Sequence, residues 1–355
     1  LVLGLLSVMA VGCPGGKAGD GGASPQLTPE TKESTGGITP AGKPLLVGVV
    51  LDTGGVDDRS FNAAANAGLE MAKKTPGVDG KYVESNNPSD YTTNLTSFAS
   101  QNYNLVFAVG FKMAGALKDV SPSFPNVKFA IIDAPAPDQP NCAGLQFREQ
   151  EGSFLAGYLA ASVTKSKKIG FVGGEQIPLI EKFEAGYKAG AKMADPTVVV
   201  TATYTGDWND ESKGRSQADQ QFGSGADIIY HAAGKAGLGV IEAAKARGAG
   251  FYAIGVDQDQ DAIAPGRVLT SMVKHIDTAM ADTVARVKSG QFEKGTHVYG
   301  LKENGVGLSE MKYTRQDVPA AVLAKLDKVK QMIIDGKLVP PTSLKELETF
   351  KPPAL

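Results

Sequence analysis

From Leu45 onward, short and strongly apolar runs alternate with longer amphipathic stretches, and this alternation narrows the fold more than any other property of the chain. The runs Leu45–Leu51 (LLVGVVL), Leu105–Gly110 (LVFAVG), Phe129–Asp133 (FAIID) and Ala143–Phe147 read as buried strands. Helical periodicity fills the gaps over Phe61–Lys74, Tyr91–Asn102 and Met113–Ser121. The pattern then restarts. Helix Gly152–Val163, strand Lys168–Gly173, helix Glu181–Ala194, strand Val198–Tyr204 and helix Glu211–Gly223 follow in turn, then strand Ile228–Ala232, helix Gly237–Arg247 and strand Tyr252–Val256. A strand that returns through a helix runs parallel to its predecessor, so the chain is expected to be α/β, with parallel sheets made of βαβ units.

The last third differs. Strand Val268–Val273 precedes helix Asp277–Ser289, a glycine-bearing stretch from Val298 to Leu308, and helix Pro319–Asp335. Two α/β halves followed by such a return fit two Rossmann-like lobes joined by a multi-strand hinge. Crossings are expected near Phe147–Glu151, Val268–Lys274 and Gly300–Leu308. Lobe 1 would comprise residues 44–147 and about 274–300, and lobe 2 residues 148–270 and about 306–345.

The N-terminal Leu1–Gly12 is apolar over the length of a secretory h-region and ends on Ala10-Val11-Gly12 before Cys13. It resembles a bacterial lipobox, in which the cysteine receives lipid and becomes the mature N-terminus. Residues 1–13 are therefore read as a lipoprotein signal segment with Cys13 as the lipidation site. Ala10 stands where leucine is usual, and neither a charged n-region nor an initiator Met precedes it, so the numbering is read as starting inside the precursor. An ordinary cleaved signal is the alternative. Residues 14–43 are rich in Gly, Pro, Ser, Thr and Lys with almost no large apolar side chains, and are expected to be a disordered tether to a membrane.

Charge and motifs exclude several classes. A net charge of -2 gives no basic stripe for nucleic acid. After the N-terminus no apolar run is long enough for a membrane span. Cys142 is expected as a small buried hydrophobe. Neither a G-x-x-x-x-G-K-[ST] loop, a G-x-G-x-x-G fingerprint nor a G-x-S-x-G elbow is present. His231, His275 and His297 have no metal-ligand spacing and are expected on the surface or in packing roles; no metal or cofactor is expected.

The densest polar stretch is Leu51–Asn62 (LDTGGVDDRSFN), at the end of the first strand. Gly54 and Gly55 permit a sharp turn, and Asp57, Asp58 and Ser60 can cap the helix that begins near Phe61. In an open α/β sheet, ligands sit at the carboxyl ends of strands. Polar or aromatic residues recur at those ends: Asp52, Phe61, Asn62, Phe111 and Asp133 in the first half, then Trp208, Gly234 and Asp257 in the second, with Lys274 closing the crossing strand. Two aromatics from opposite lobes could stack on both faces of a planar ring. Asn62 and Asp133 could read its edge, and Asp257 could accept from a vicinal diol with Lys274 nearby. A planar heterocycle joined to a sugar is a nucleoside, and no residue is left for a triphosphate.

LDTGGVDDRSFN resembles the signature of the purine nucleoside receptor A-like, basic membrane protein family of bacterial lipoproteins. So do QFREQEGSFLAGYLA (Gln146–Ala160), KIGFVGGEQIPLIEKFEAGYKAG (Lys168–Gly190), GVDQDQ (Gly255–Gln260) and VLTSMVK (Val268–Lys274), over a match from Leu45 to Pro341. The resemblance implies the type I periplasmic-binding-protein fold and a non-enzymatic solute-binding protein on the extracytoplasmic side of the cell membrane. Such a protein feeds purine nucleosides to an ABC permease. It further implies that Phe61 and Trp208 sandwich the base and that Asn62 and Asp133 contact its edge. Asp52 would line the pocket, and Gly234, Asp257 and Lys274 would hold the ribose. Trp208 departs from the family's usual phenylalanine, and Lys235 from a usual glycine. The chain is expected to act as a monomer, anchored through Cys13, with no nucleic-acid partner. Guanosine, inosine and adenosine all stay open as ligands.

Two other readings compete. Nucleoside hydrolases carry a D-x-D-x-x-x-D-D cluster that Asp52…Asp57-Asp58 superficially approaches, but Gly54 replaces the second aspartate and the spacing is one residue shorter. Calcium needs many oxygen ligands, so that loss matters. A sensor subunit presenting nucleoside to a membrane receptor is equally compatible with the sequence.

Overall fold

The computed structural model describes residues 42–355; the expected signal segment with Cys13, and the expected tether up to residue 41, lie outside the described residues. Strand β1 (Leu45–Leu51) places Val47, Val49 and Leu51 in one apolar cluster and Val50 in another, the two-residue repeat of an extended chain. The first cluster includes Ala65, Leu69 and Ala72 of helix α1 (Phe61–Lys73). After strand β2 (Val78–Glu84), helix α2 (Asp90–Ser100) contributes Leu95 and Phe98 to the second cluster. Strand β3 (Leu105–Val109), helix α3 (Ala114–Val120), strand β4 (Lys128–Ile132) and strand β5 (Cys142–Phe147) complete the first half, with Cys142 a buried free thiol.

The second half repeats the design. Helix α4 (Glu149–Val163), strand β6 (Lys168–Gly173), helix α5 (Pro178–Ala194) and strand β7 (Val199–Tyr204) come first. Helix α6 (Glu211–Gly223), strand β8 (Ile228–Ala232), helix α7 (Gly237–Arg247), strand β9 (Tyr252–Asp257) and strand β10 (Val268–Lys274) follow. The return consists of helix α8 (Ile276–Lys288), strand β11 (Gly295–Tyr299), strand β12 (Val306–Leu308), helix α9 (Ala320–Ile334) and the short helix α10 (Leu344–Thr349).

Among the described residues two six-stranded sheets result, ordered β2-β1-β3-β4-β5-β11 and β7-β6-β8-β9-β10-β12. Neighbours pair in parallel except β12, which runs antiparallel to β10. Each sheet reverses its strand order at one point, between β1 and β3 and between β6 and β8, and the crevice outside the carboxyl ends there is where such sheets bind ligands. The chain changes sheets three times: between Phe147 and Glu149, between Lys274 and Ile276, and between Tyr299 and Val306. The middle crossing follows β10, whereas the sequence suggested Val268–Lys274 itself; that segment is an internal strand of the second sheet, buried along most of its length. Strands β2 and β11 escaped sequence reading for a physical reason. They are edge strands with partly exposed side chains (VDGKYVE and GTHVY), so they carry no apolar run.

Candidate functional site

The loop after β1 is assembled by its own side chains. Among the residues expected to cap α1, Asp58 does the work: Oδ1 accepts from the backbone N–H of Ser60 (2.9 Å) and Ala63 (3.0 Å), and Oδ2 from that of Asn62 (2.8 Å). Burial pushes its carboxyl up to about 6 in spite of those three donors. Asp57 is exposed and Ser60 makes no cap bond; these two expectations are corrected. Ser60 is buried, and its hydroxyl instead donates across the molecule to Asp257 Oδ2 at 2.5 Å. Asn62 staples the loop: Oδ1 accepts from Asp52 N–H at 3.1 Å, and Nδ2 donates to the carbonyls of Asp52 (3.3 Å) and Thr53 (3.4 Å). Asp52 accepts the phenolic hydroxyl of Tyr91, which fixes its carboxylate at the mouth of the switch point. Gly110, at φ 116°, closes the other side; a Cβ there would lie 2.8 Å from Asp52 Oδ2.

Two carboxylates sit at strand ends in strained backbone. Asp133 follows β4 at φ 66° and Asp257 ends β9 at φ 64°, a left-handed conformation that costs about 1–3 kcal/mol for most side chains and clusters at functional sites. Between them lies Lys274, buried at the end of β10. Its Nζ is 2.6 Å from Asp133 Oδ2 and 3.5 Å from Glu149 Oε1. The rings of Phe61 and Phe147, each centred 5.1 Å away, enclose it. Burial alone would weaken the ammonium's hold on its proton, but Asp133, Glu149 and Asp257 outweigh it and hold the pKa above the ordinary lysine value. Burial raises the carboxyls of Asp257 and Glu149, opposed mainly by Lys274. Three oxygens of this cluster are buried with no hydrogen-bond partner among the described residues: both of Glu149, each 3.5 Å from an ammonium (Lys274 or Lys182), and Asp133 Oδ1. A buried acceptor of that kind calls for a donor.

The strand ends of both sheets face one cleft with about 690 Å³ of space between its walls, part of it open to solvent. Asp52, Phe61, Asn62, Asp133, Trp208, Gly234, Asp257 and Lys274 all line it, as does Phe111. The geometry nonetheless differs in places from what their types suggested. Lys274 bonds directly to Asp133 rather than standing beside Asp257 alone. Asn62 commits both ends of its amide to the loop backbone. Sequence reasoning passed over Leu179, Phe183 and Asn209, which also line the cleft, and Glu149 behind it; Asp58, read as a cap only, lines it too. Leu179 and Phe183 belong to α5, whose N-terminal turn was read as starting three residues late; the proline at its first position was the available signal. His231 is fully buried on β8 with Nε2 3.0 Å from Gln260 Oε1, and burial pulls its pKa down to about 4, so it packs as a neutral ring.

The arrangement offers four aromatic rings (Phe61, Phe111, Phe183 and Trp208), several carboxylate acceptors and two lysines, Lys235 and Lys274, with no nucleophile–base pair among the lining residues. Comparison with known proteins agrees with a binding rather than a catalytic site. The family model for PnrA-like ABC transporter substrate-binding proteins matches residues 45–340. The chain is 38% identical over 319 residues to the CD4+ T-cell-stimulating antigen of Listeria monocytogenes, covering 84% of this chain and 88% of that protein. It is 38% identical over 318 residues to the ABC transporter nucleoside-binding protein BmpA of Lactococcus lactis subsp. cremoris, covering 84% and 89%. Among solved structures, an ABC transporter solute-binding protein from Aeropyrum pernix superposes with a TM-score of 0.76 at 30% identity, covering 86% of this chain and 96% of that one.

Proposed function

Because the chain belongs to the Bmp family of PnrA-like ABC transporter substrate-binding proteins, we propose that its cleft captures a purine nucleoside and delivers it to the membrane permease of an importer. The observation that supports this most is the convergence, in one cleft at the strand ends of both sheets, of Phe61 and Trp208 with the buried Asp133–Lys274–Asp257 group. In this reading the two rings take the faces of guanine, hypoxanthine or adenine, each aromatic contact contributing about 0.5–1.5 kcal/mol beyond its buried area. Asp133 Oδ1 and the second lone pair of Asn62 Oδ1, which the loop leaves free, accept from polar hydrogens of the ligand, and Asp52 bounds the pocket. Gly234, at φ 56°, keeps the backbone close to Trp208 where a ribose would lie, and Asp257 with Lys274 takes the diol. The experiment is optical. Trp208 is the single tryptophan of the chain, so guanosine, inosine or adenosine should change its fluorescence and free ribose should not. An equal response to ribose would make this a sugar-binding cleft.

The same reading places the protein on the extracytoplasmic side, tethered through lipid on Cys13. Its support is the apolar stretch and small residues before that cysteine. In cells expressing a full-length precursor, Cys13→Ala should abolish labelling with radioactive palmitate; retained label would remove the anchor from the proposal.

A further inference from the structure

We propose that Glu175 is a positioning residue that joins the Trp208 indole to Lys112 on the opposite lobe, so that a bound nucleoside is released only when this clasp opens. The inference rests on the nucleoside reading above. Glu175 follows β6 and belongs to the second lobe, while Lys112 lies in the single turn after β3 in the first. One carboxylate oxygen, Oε1, accepts both from Lys112 Nζ at 2.6 Å and from Trp208 Nε1 at 2.6 Å. The indole is located from two more directions. It rests on Gly174, where an added Cβ would come within 2.6 Å of ring carbons, and the Lys112 ammonium stands 5.7 Å from a ring centroid. The same ammonium is 5.9 Å from the ring of Phe111, which lines the cleft.

The parts have different dependence on closure. Gly174, Glu175 and Trp208 are all in the second lobe, so the indole is oriented whether or not the lobes meet. Lys112 joins only when they do. A charged donor sharing its acceptor with the indole N–H gives closure a direct hold on a ring that faces the ligand. The Lys112 and Glu175 side chains keep 25% and 33% of their exposure. The pair therefore acts as a modest, salt-sensitive brake on release rather than as a main source of affinity, and its removal leaves no buried charge behind.

Dissociation of tritiated guanosine, chased with excess unlabelled guanosine, is to be measured for wild type, Lys112→Met, Glu175→Gln, the double variant and Lys112→Arg. Each of the first two substitutions should speed release by roughly 1.5- to fivefold, the span expected of a partly exposed ion pair. The double variant should release no faster than the faster single one, because the two residues act as one unit. Lys112→Arg, which keeps the charge, should return the rate to near wild type. Raising salt should speed release from wild type but not from Lys112→Met. Single effects that multiply in the double variant, or a Lys112→Met rate equal to wild type, overturn the clasp while leaving the nucleoside reading intact. If wild type binds no guanosine at all, it is that reading that fails, and the clasp falls with it.

Discussion

Lys274→Met is expected to abolish measurable nucleoside binding and to lower the stability of the fold by about 3–5 kcal/mol, the usual cost of removing one partner from a buried ion pair. The side chain is buried, with Nζ 2.6 Å from Asp133 and 3.5 Å from Glu149. Methionine keeps much of the apolar stem among Phe61, Phe147 and Phe183, so the loss is of charge far more than of packing. Three buried or half-buried carboxyl groups, Asp133, Glu149 and Asp257, would then share the region without the cation at its centre, with only Lys182 left 3.5 Å from Glu149. Urea denaturation at several pH values checks the cause. Burial already raises the carboxyls of Asp257 and Glu149, and Lys274 is the main group opposing that rise. In the variant their folded pKa values rise further above the unfolded ones, so the folded state binds more protons than the unfolded one. Its stability is therefore highest at low pH and falls as pH rises through the folded values. The wild-type lysine, held above its ordinary pKa, stays charged through that window. The gap between the two proteins should widen as pH rises above the ordinary carboxylate range. A gap that is constant with pH would mean that packing, not charge, is what the substitution removes.

Asp257→Ala carries the second large effect. The carboxylate is buried, and its Oδ2 is already met by Ser60 at 2.5 Å, so the group has two tasks: to tie the lobes and, in the proposed function, to accept from the ribose diol. Leaving buried donors without their acceptor costs about 1–3 kcal/mol, more where charge is involved. Nucleoside affinity should thus fall by roughly ten- to a hundredfold or beyond, at about 1.4 kcal/mol per decade. The variant should also distinguish less between guanosine and 2′-deoxyguanosine. Ser60→Ala separates the two tasks. It removes the interlobe hydrogen bond and leaves the carboxylate, so it should weaken both ligands by the same factor. Calorimetry of both ligands on the three proteins is the measurement. An unchanged ribo-to-deoxy ratio in Asp257→Ala would assign the residue to lobe closure alone.

The local sequence determined the strands that are buried on both faces, because burial repeats along the chain and leaves unbroken apolar runs such as LLVGVVL and LVFAV. It determined the strand-end positions Asp52, Asp133 and Asp257 for the same reason: a polar residue that ends an apolar run must stand at the mouth of a sheet. Even the family was legible, since motifs such as LDTGGVDDRSFN are contiguous. Edge strands β2 and β11 were not, because their side chains are largely exposed (VDGKYVE and GTHVY) and leave no apolar run, whereas the edge strand β7 keeps the β-branched VVTATY. What only the tertiary structure decided is which polar groups meet. Ser60 was legible as a cap and became a partner of Asp257, 197 residues away. Lys274 was placed with a sugar-binding aspartate and proved to bond to Asp133 across the hinge, while Lys112, Glu175 and Trp208 carried no local sign of belonging together. Apolar burial is written in the period of one segment. A charge pair depends on the separation of two atoms, and here that separation is set by how the two sheets face each other, which no spacing within either sheet encodes.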